Sequence, residues 1–291
     1  MVWATLAVLA ASVVISALLA PRIPDQEQAS LSDFGLPTAE SSRAVSVVFG
    51  TVMVQGPNIV WAGDFEADPI RVTTGLKIRG LKISKRRATV GYRYFAGIHF
   101  VVSHTVERLL AVFVDEDLLT LTDTDVNQTY NVDERDRFGG QEGNGGLEGN
   151  YDVMMGYPDQ GANAYLQTQV NFVPGYRGFL SVVLNRFYLG NSPRFPPWQF
   201  LCQRVNTNLR GEPIWYQERA AIPSAEGTEE LQRFIDGVDD EGNPNPTSVA
   251  APEVIDLNPA HIIYSVLTEF CLLYTSPSPR DQRGSRMPSS A

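Results

Sequence analysis

One acidic stretch of the chain carries most of the spacing of a calcium-binding loop. Asp123, Asp125, Asn127 and Glu134 match positions one, three, five and twelve of an EF-hand loop, in which oxygen ligands bind Ca²⁺. Gln128 stands where that loop requires glycine, and no helical pattern flanks the stretch. The pattern therefore favours a solvated acidic loop, and these four residues are kept as a candidate calcium site.

The other residues that could do chemistry form no catalytic pattern. His99, His104 and His261 lack HExxH spacing and cysteine partners, so a zinc site has no support, and we interpret His99 as a strand-surface residue. The glycine-rich stretch at residues 138–149 has no GK[ST] ending, and it predicts a flexible loop between strands rather than a phosphate cradle. We predict no catalytic and no cofactor-binding residues, and we expect that the chain is not an enzyme.

The last 21 residues resemble a translated sequencing adapter. CLLYTSPSPRD, from Cys271, matches an in-frame transposon-library adapter, and SRMPSSA matches the corresponding flow-cell primer. We expect residues 271–291 to be a non-native tail, with the native sequence departing after Phe270. Cys202 then has no disulfide partner, so the fold must be stabilised by a hydrophobic core.

The chain is acidic with or without that tail. Its formal net charge is −10, and removing the three arginines and one aspartate of the tail makes it −12. This balance argues against specific binding to a nucleic-acid backbone, which requires clustered Lys and Arg. One basic cluster, at residues 77–87, is interpreted as a solvated strand-and-turn face.

The run from Val2 to Ala20 is apolar and uncharged, and it is long enough to span a bilayer as a helix. A signal peptide, a membrane anchor and a helix buried in an assembly stay open as interpretations. The absence of a basic n-region and the position of Pro21 disfavour cleavage after Ala20, while Arg22 gives only a weak orientation signal. Residues 21–44 are rich in Pro, Ser, Gln and Glu, which predicts a linker.

Hydrophobic patterning predicts a mainly β fold with a minor α component (α+β). Residues 45–61 suggest short paired strands around a Gly-Pro turn, and residues 88–103 alternate like a long strand or a hairpin with one buried face. Strands buried on both faces are predicted at residues 109–114, 179–189 and 198–205. Helices are predicted at residues 163–170 and from Asn258, which can cap, with Pro259 at the first helical position. The acidic segment at residues 220–255 predicts a surface loop or insertion.

Six segments resemble, in this order, the N-terminal part of a tailed-phage tail-tip protein of the tip attachment protein J type. They are VSVVFGTVMVQGPNIVWAGDF (45–65), YRYFAGIHFVVSH (92–104), RLLAVFVDE (108–116), FGGQEGNGGLEGNYDVMMG (138–156), PGYRGFLSVVLNRFYLGNSPRFPPWQFLCQR (174–204) and DLNPAHIIYSVLTE (256–269). No single motif is diagnostic, whereas six in the right order are specific. The resemblance spans nearly the whole chain from Val45 to Glu269.

The resemblance implies a virion structural protein, the central hub of the tail tip of a phage or gene-transfer particle. Such hubs are homotrimers that close the tail tube, dock to distal tail proteins, carry host-recognition parts and open to pass DNA. It implies two β-rich hub-type domains, at 45–105 and at 106–270, the second truncated, after an apolar helix at 1–20. An acidic lining would repel phosphates and let DNA pass without specific binding.

Two expectations concern the apolar N-terminal run and the compartment. In a tail tip, residues 2–20 would be retained as a helix, hidden until infection and then able to meet the host membrane. The main alternative is a membrane-anchored bacterial envelope protein with a β-rich periplasmic domain, located in the membrane rather than the virion.

Overall fold

The computed structural model describes residues 27–34, 44–78, 81–138, 145–208, 211–214, 217–237 and 249–271. The predicted apolar helix at residues 2–20, most of the predicted linker and the predicted tail from residue 272 onward lie outside these ranges, as do residues 139–144 of the glycine-rich stretch. Strands predominate in the described residues and helices are short, which confirms a mainly β fold with a minor α component.

Sheet A is the larger of the two main sheets. It contains β2 (Asn58–Ile78), β3 (Leu81–His104), β6 (Gln128–Glu134), β7 (Leu147–Met154) and β8 (Phe179–Gly190). The antiparallel order is β2–β3–β8–β7–β6. The pairs β2–β3 and β6–β7 are hairpins of consecutive strands, whereas β8 lies between β3 and β7 and pairs with both.

Sheet B repeats this arrangement with four strands. It contains β1 (Gly50–Gln55), β4 (Arg108–Val114), β5 (Asp117–Thr124) and β9 (Trp198–Arg204), in the order β1–β9–β4–β5. The strands β4 and β5 form a hairpin, and β9 lies between β1 and β4. A two-stranded sheet of β10 (Ala221–Pro223) and β11 (Ile255–Leu257) completes the strands of the described residues.

Side chains of both sheets meet in one hydrophobic core. The ring of Phe100 in β3 lies 5.8 Å from that of Trp198 and 6.0 Å from that of Phe200, both in β9, between centroids. Phe187 in β8 lies 5.8 Å from Trp198 in an edge-on arrangement. Both sheets combine strands from residues 45–105 with strands from residues 106–270, so the predicted domain boundary falls between strands that share sheets and core.

Two helices begin where the sequence predicts them. Among the described residues the helices are α1 (Ala164–Gln169), α2 (Gln217–Ala220), α3 (Ala225–Asp236) and α4 (Pro259–Ser265), with a 3-10 turn at Leu31–Phe34 and a π-helical turn at Val266–Cys271. The Asn163 Oδ1 accepts from the Leu166 N–H at 3.0 Å, which caps α1. The Asn258 Oδ1 accepts from the Ala260 N–H at 3.0 Å and caps α4. Both predicted helix starts are confirmed.

The acidic segment at residues 220–255 is not only a loop, because it contains α3. Ser224 caps this helix by accepting from the Gly227 N–H at 3.2 Å. Leu231 and Ile235, four residues apart, bury one face of the helix against the outer side of sheet B. This cover explains why β4 and β9 are buried along nearly their whole length, as predicted for strands covered on both faces.

The turn at residues 56–58 joins two strands that do not pair. It lies between β1 and β2 as predicted, but β1 pairs with β9 in sheet B and β2 pairs with β3 in sheet A. The prediction of paired strands around this turn is therefore wrong. A local sequence pattern identifies the turn, whereas β1 pairs with a strand far away in the sequence and β2 pairs with the strand that follows it.

His99 is buried, which corrects its interpretation as a strand-surface residue. Its exposed fraction is 1%, and the ring of Tyr176 lies edge-on above it at 4.4 Å between centroids. The Nδ1 atom has no hydrogen-bond partner among the described residues, and burial lowers the pKa of the imidazole to about 4. The surface prediction fails because the segment carrying α1 and Tyr176 covers this face of sheet A.

Two charged side chains anchor the loops around β9. The Glu107 carboxylate accepts from three consecutive backbone N–H groups, those of Val205, Asn206 and Thr207. The buried Arg204 guanidinium donates from Nε to the Val48 carbonyl at 2.7 Å and lies 4.7 Å over the ring of Phe49. These contacts fix the end of β9 to the entries of β1 and β4.

Within the part of the chain described here, no helix combines the length and hydropathy needed to cross a membrane.

Candidate assembly surface

The β2–β3 hairpin extends well beyond the rest of sheet A. These strands pair along their whole length, down to Ile78 opposite Leu81. The pairing of β3 with β8 begins only at Tyr94, so in the described residues the earlier part of β3 pairs with β2 alone. Residues 69–93 thus form a two-stranded arm, and at about 3.3 Å per residue the β3 side of the arm is about 40 Å long.

The arm is strongly basic although the chain is acidic. Residues 69–93 contain eight Lys and Arg and no Asp or Glu, and they include every lysine of the chain. Arg71, Arg87 and Arg93 are exposed, and no carboxylate of the described residues forms an ion pair with them. The cluster at residues 77–87, interpreted from sequence as a strand-and-turn face, lies at the far end of the arm. Arg71, Arg87 and Arg93 thus differ from the cations elsewhere in the described residues that form surface ion pairs.

The root of the arm is the part of the β2–β3 hairpin that joins the rest of sheet A. A tyrosine packs against one face of this root. The Tyr165 hydroxyl donates to the Asp64 carboxylate at 2.7 Å and accepts from the Arg186 N–H at 3.1 Å, while its ring packs edge-on against Trp61. Burial, together with the Asp64 carboxylate, raises the pKa of Tyr165. An ion pair between Arg186 and Glu66 joins β8 to β2 at the same level.

Two facing glycines leave room for these rings. Gly63 in β2 and Gly97 in β3 are cross-strand partners. A Cβ atom on Gly97 would lie 2.9 Å from the Trp61 ring, and one on Gly63 would lie 2.6 Å from it. The close approach of Trp61 to the sheet therefore requires glycine on both strands.

The opposite face of the root is packed by an aromatic cluster. Phe34 lies 5.2 Å from Tyr94 and 5.6 Å from Phe65, between ring centroids. Phe34 belongs to the predicted linker at residues 21–44, yet it is buried in the core. Because side chains cover both faces of the root, the direction of the arm is fixed by the body of the protein.

An acidic edge lies along the terminal strands β5 and β6 of the two sheets. The strands β5 and β6 are the last strands of sheets B and A, and Tyr130 joins them by donating to the Thr122 carbonyl at 3.1 Å. Residues 115–137 contain eight Asp and Glu against two Arg. The acidic edge is defined as these residues. Its exposed carboxylates without a cationic partner among the described residues are Glu116, Asp117, Asp125 and Asp136.

The predicted calcium-site residues lie in this edge but do not converge. Asp123 pairs with Arg108, and the Asn127 Oδ1 accepts from the Met155 N–H at 2.7 Å. Asp125 lies in the turn between β5 and β6, whereas Glu134 is at the far end of β6, about 20 Å from Asn127 at strand spacing. The local structure is a strand–turn–strand instead of a loop between helices, so the four residues cannot surround one ion.

The three histidines also lie apart. His104 packs against Phe179 at 5.0 Å between centroids, and burial together with Arg204 lowers the pKa of its imidazole. The Nε2 of His261 is 3.4 Å from the Ser265 Oγ in α4. Among the described residues, His, Cys, Asp and Glu side chains form no group that could hold a metal ion.

A small cleft lies beside the root of the arm. It has a volume of about 240 Å³, and its lining includes Arg93, Arg135, Glu148 and Tyr188. Arg135 is engaged by Glu148 and by Asp133, at 3.1 Å from the latter, whereas Arg93 has no ion-pair partner in the described residues. The cleft thus places Arg93, one of the eight basic residues of the arm, at the arm's base beside Arg135.

Comparisons with known proteins give a weak match to a solved structure. No protein-family model matches the chain, and no curated protein matches it. A chain of the virion of a native gene transfer agent particle matches with 16% identity and a TM-score of 0.34, over 59% of this chain. The match spans 29% of that chain, less than two thirds of its length. At this TM-score the likeness does not define a shared fold.

Proposed function

We propose that this chain is a virion structural protein, the central hub of the tail tip of a tailed phage or gene-transfer particle, with a structural and not a catalytic role. The observation that carries the proposal is where the six segments resembling the tip attachment protein J type lie in the fold. They supply β1, the root of the arm, β4, β7, the pair β8 and β9, and α4.

These segments are separated in sequence but converge in space. Their side chains make up nearly all of the core between the sheets, with Phe34, Val106, Leu119 and Val132 as the exceptions. The arm, the acidic edge after residue 116 and α3 lie outside the resembling segments and on the periphery. Chance likenesses would have no reason to select one continuous core, so this distribution supports a common framework with variable surfaces.

The chemistry of the surface suits a hub that DNA must pass. A formal net charge of −10 gives the chain a field that repels phosphate, which favours sliding over adhesion. The proposed assembly is a homotrimer that closes the tail tube, contacts tail-tube and distal tail proteins, and carries the parts that recognise the host.

Immunogold labelling of purified particles from the source culture tests this function. Antibodies raised against the chain are expected to label the end of the tail, and single-particle imaging is expected to show threefold density there. Absence of the chain from purified particles would refute the proposal.

The same culture tests the alternative function. The apolar run at residues 2–20 favours a membrane-anchored envelope protein with a β-rich periplasmic domain. Gold on the cell envelope, together with recovery of the chain in the membrane fraction, would replace the hub function by this one. In the hub, by contrast, residues 2–20 are retained in the particle, so N-terminal sequencing of virion protein is expected to begin before Pro21.

A further inference from the structure

The arm lacks the contacts that a two-stranded ribbon needs. An isolated hairpin is marginal in water, and stability comes from further strands or from a packed face. The part of β3 before Tyr94 pairs with β2 alone in the described residues, and Val72 and Val90 on the arm are exposed. A partner surface outside the chain would supply the missing contacts.

The charge of the arm defines the chemistry of that partner. Eight basic residues without one acidic residue at positions 69–93 call for an acidic surface. The rest of this chain is such a surface, because it carries 15 basic residues against 33 acidic ones. That body repels nucleic-acid phosphates at long range and attracts the arm of another copy, so the charges favour a second copy over DNA.

The fold places a complementary acidic seat at the edge of sheet A opposite β2. In sheet A, the strand order puts β2 at one end and β6 at the other, and the acidic edge follows β6. Glu116, Asp117, Asp125 and Asp136 are exposed there without cationic partners among the described residues. Arg93 and Arg135 line the same cleft at the base of the arm, yet within one chain no ion pair of the described residues joins the exposed cations of the arm to the exposed anions of the edge.

We infer that the arm of one chain, through its exposed Arg71, Arg87 and Arg93, docks on the acidic edge at residues 115–137 of a second copy of this chain. Among the described residues, these cations form no ion pair with the edge of their own chain. Two different surfaces of the same molecule then meet head to tail, and contacts of this kind close into a ring when the rotation between copies permits. The inference deepens the proposed function and rests on it for the number of copies, while the contact itself is testable on the isolated chain.

Charge-exchange variants of the full-length chain test the contact by analytical ultracentrifugation. The arm variant R71E/R87E and the edge variant D117R/D136R change exposed residues at the two surfaces. Each is expected to weaken self-association by about 10-fold or more, since attraction at each site becomes repulsion. The matched control R219E/R233E makes the same charge change as the arm variant on exposed residues of α2 and α3, and it is expected to associate like the wild type.

Mixing the two weakened variants gives the decisive result. The arm variant keeps an intact edge and the edge variant keeps an intact arm, so the mixture is expected to form one-to-one dimers that cannot extend. Raising the salt concentration is expected to dissociate them. Circular dichroism of each variant shows whether the fold is retained.

Four outcomes would overturn the inference: a monomeric wild type, an arm variant that assembles like the wild type, equal weakening by the control, or no dimer in the mixture. A short DNA duplex serves as the competing probe. Loss of duplex binding in the arm variant with unchanged self-association would assign the arm to nucleic acid instead. Particle labelling reports on the hub function independently, so failure of the contact and failure of that function are distinguishable.

Discussion

Replacement of His99 by glutamine is expected to reduce the acid sensitivity of the fold. The imidazole is buried below the Tyr176 ring, and its Nδ1 has no hydrogen-bond partner in the described residues. A proton on this ring would place an unpaired charge in an apolar site. Burial accordingly lowers the pKa from 6.5 in the unfolded chain to about 4 in the folded one.

The sign and size of the effect follow from these two values. Because the folded pKa is depressed, the unfolded chain binds the proton more tightly, and stability present above pH 6.5 is lost as the pH falls towards 4. Linkage gives a loss from His99 of about 1.4 kcal/mol at pH 5.5 and of about 3 kcal/mol at pH 4. Measurements near the sequence pI of 4.8 would be complicated by precipitation, so the useful window ends near pH 5.5.

Urea unfolding followed by tryptophan fluorescence measures this loss between about pH 7.5 and about pH 5.5. The wild type is expected to lose about 1.4 kcal/mol more than His99→Gln, whatever the absolute stability of the variant. His104→Gln is the comparison: its imidazole is half-buried, so its removal should flatten the profile less. An unchanged profile in His99→Gln, or an NMR titration of His99 above pH 5.5, would refute the reasoning.

Three further predictions concern the anchors of the fold. Glu107→Ala leaves three backbone N–H groups without their acceptor, so urea unfolding is expected to show a loss of about 3 kcal/mol, and an unchanged stability would contradict the anchor. Gly97→Ala places a Cβ against the Tyr165 hydroxyl and the Trp61 ring and is expected to cost about 1–3 kcal/mol, whereas the control Gly161→Ala, whose added Cβ meets nothing within 4 Å, should be nearly neutral. In a Cys271→Ser chain, burial raises the pKa of Cys202, so iodoacetamide should label this thiol only as the chain unfolds, and rapid native labelling would contradict its burial.

Sequence patterns predict the parts of this fold that are set by neighbouring residues. Burial on both faces at residues 109–114, the helix start at residue 163 and the cap at Asn258 each depend on a short window of sequence, and the structure confirms them. The partner of β1 is β9, far away in the sequence, and β2 pairs with β3 instead of β1, so the turn at residues 56–58 could be located but the pairing of its strands could not. The helix α3 has apolar residues at helical spacing, but the acidic residues around them favoured the prediction of a surface loop.

In the sequence, the candidate surface is indicated only by its charge composition. The absence of acidic residues between positions 69 and 93 can be read directly from the chain. Ile70, Val72, Leu76 and Ile78 alternate with polar residues, which is a strand signal, but the length of the arm could not be predicted because it depends on where the pairing of β3 with β8 begins. Its relation to the acidic edge depends on the strand order of sheet A, which no local pattern specifies.

The strand order also determines the order in which parts of the fold can form during synthesis. Three hairpins, β2–β3, β4–β5 and β6–β7, can form from consecutive strands as the chain leaves the ribosome. Neither sheet can be completed at that stage. In sheet A, β8 lies between the hairpins β2–β3 and β6–β7, and in sheet B, β9 lies between β1 and the hairpin β4–β5. Both strands are synthesised after these hairpins. Until residue 204 emerges, the inner edges of β3, β4 and β7 stay open to pairing with other chains, which is the usual origin of misassembly in slow-folding β proteins. The 26 residues of Phe179–Gly190, Trp198–Arg204 and their connection therefore complete both sheets last. A nascent chain arrested before these residues should be protease-sensitive throughout both sheets.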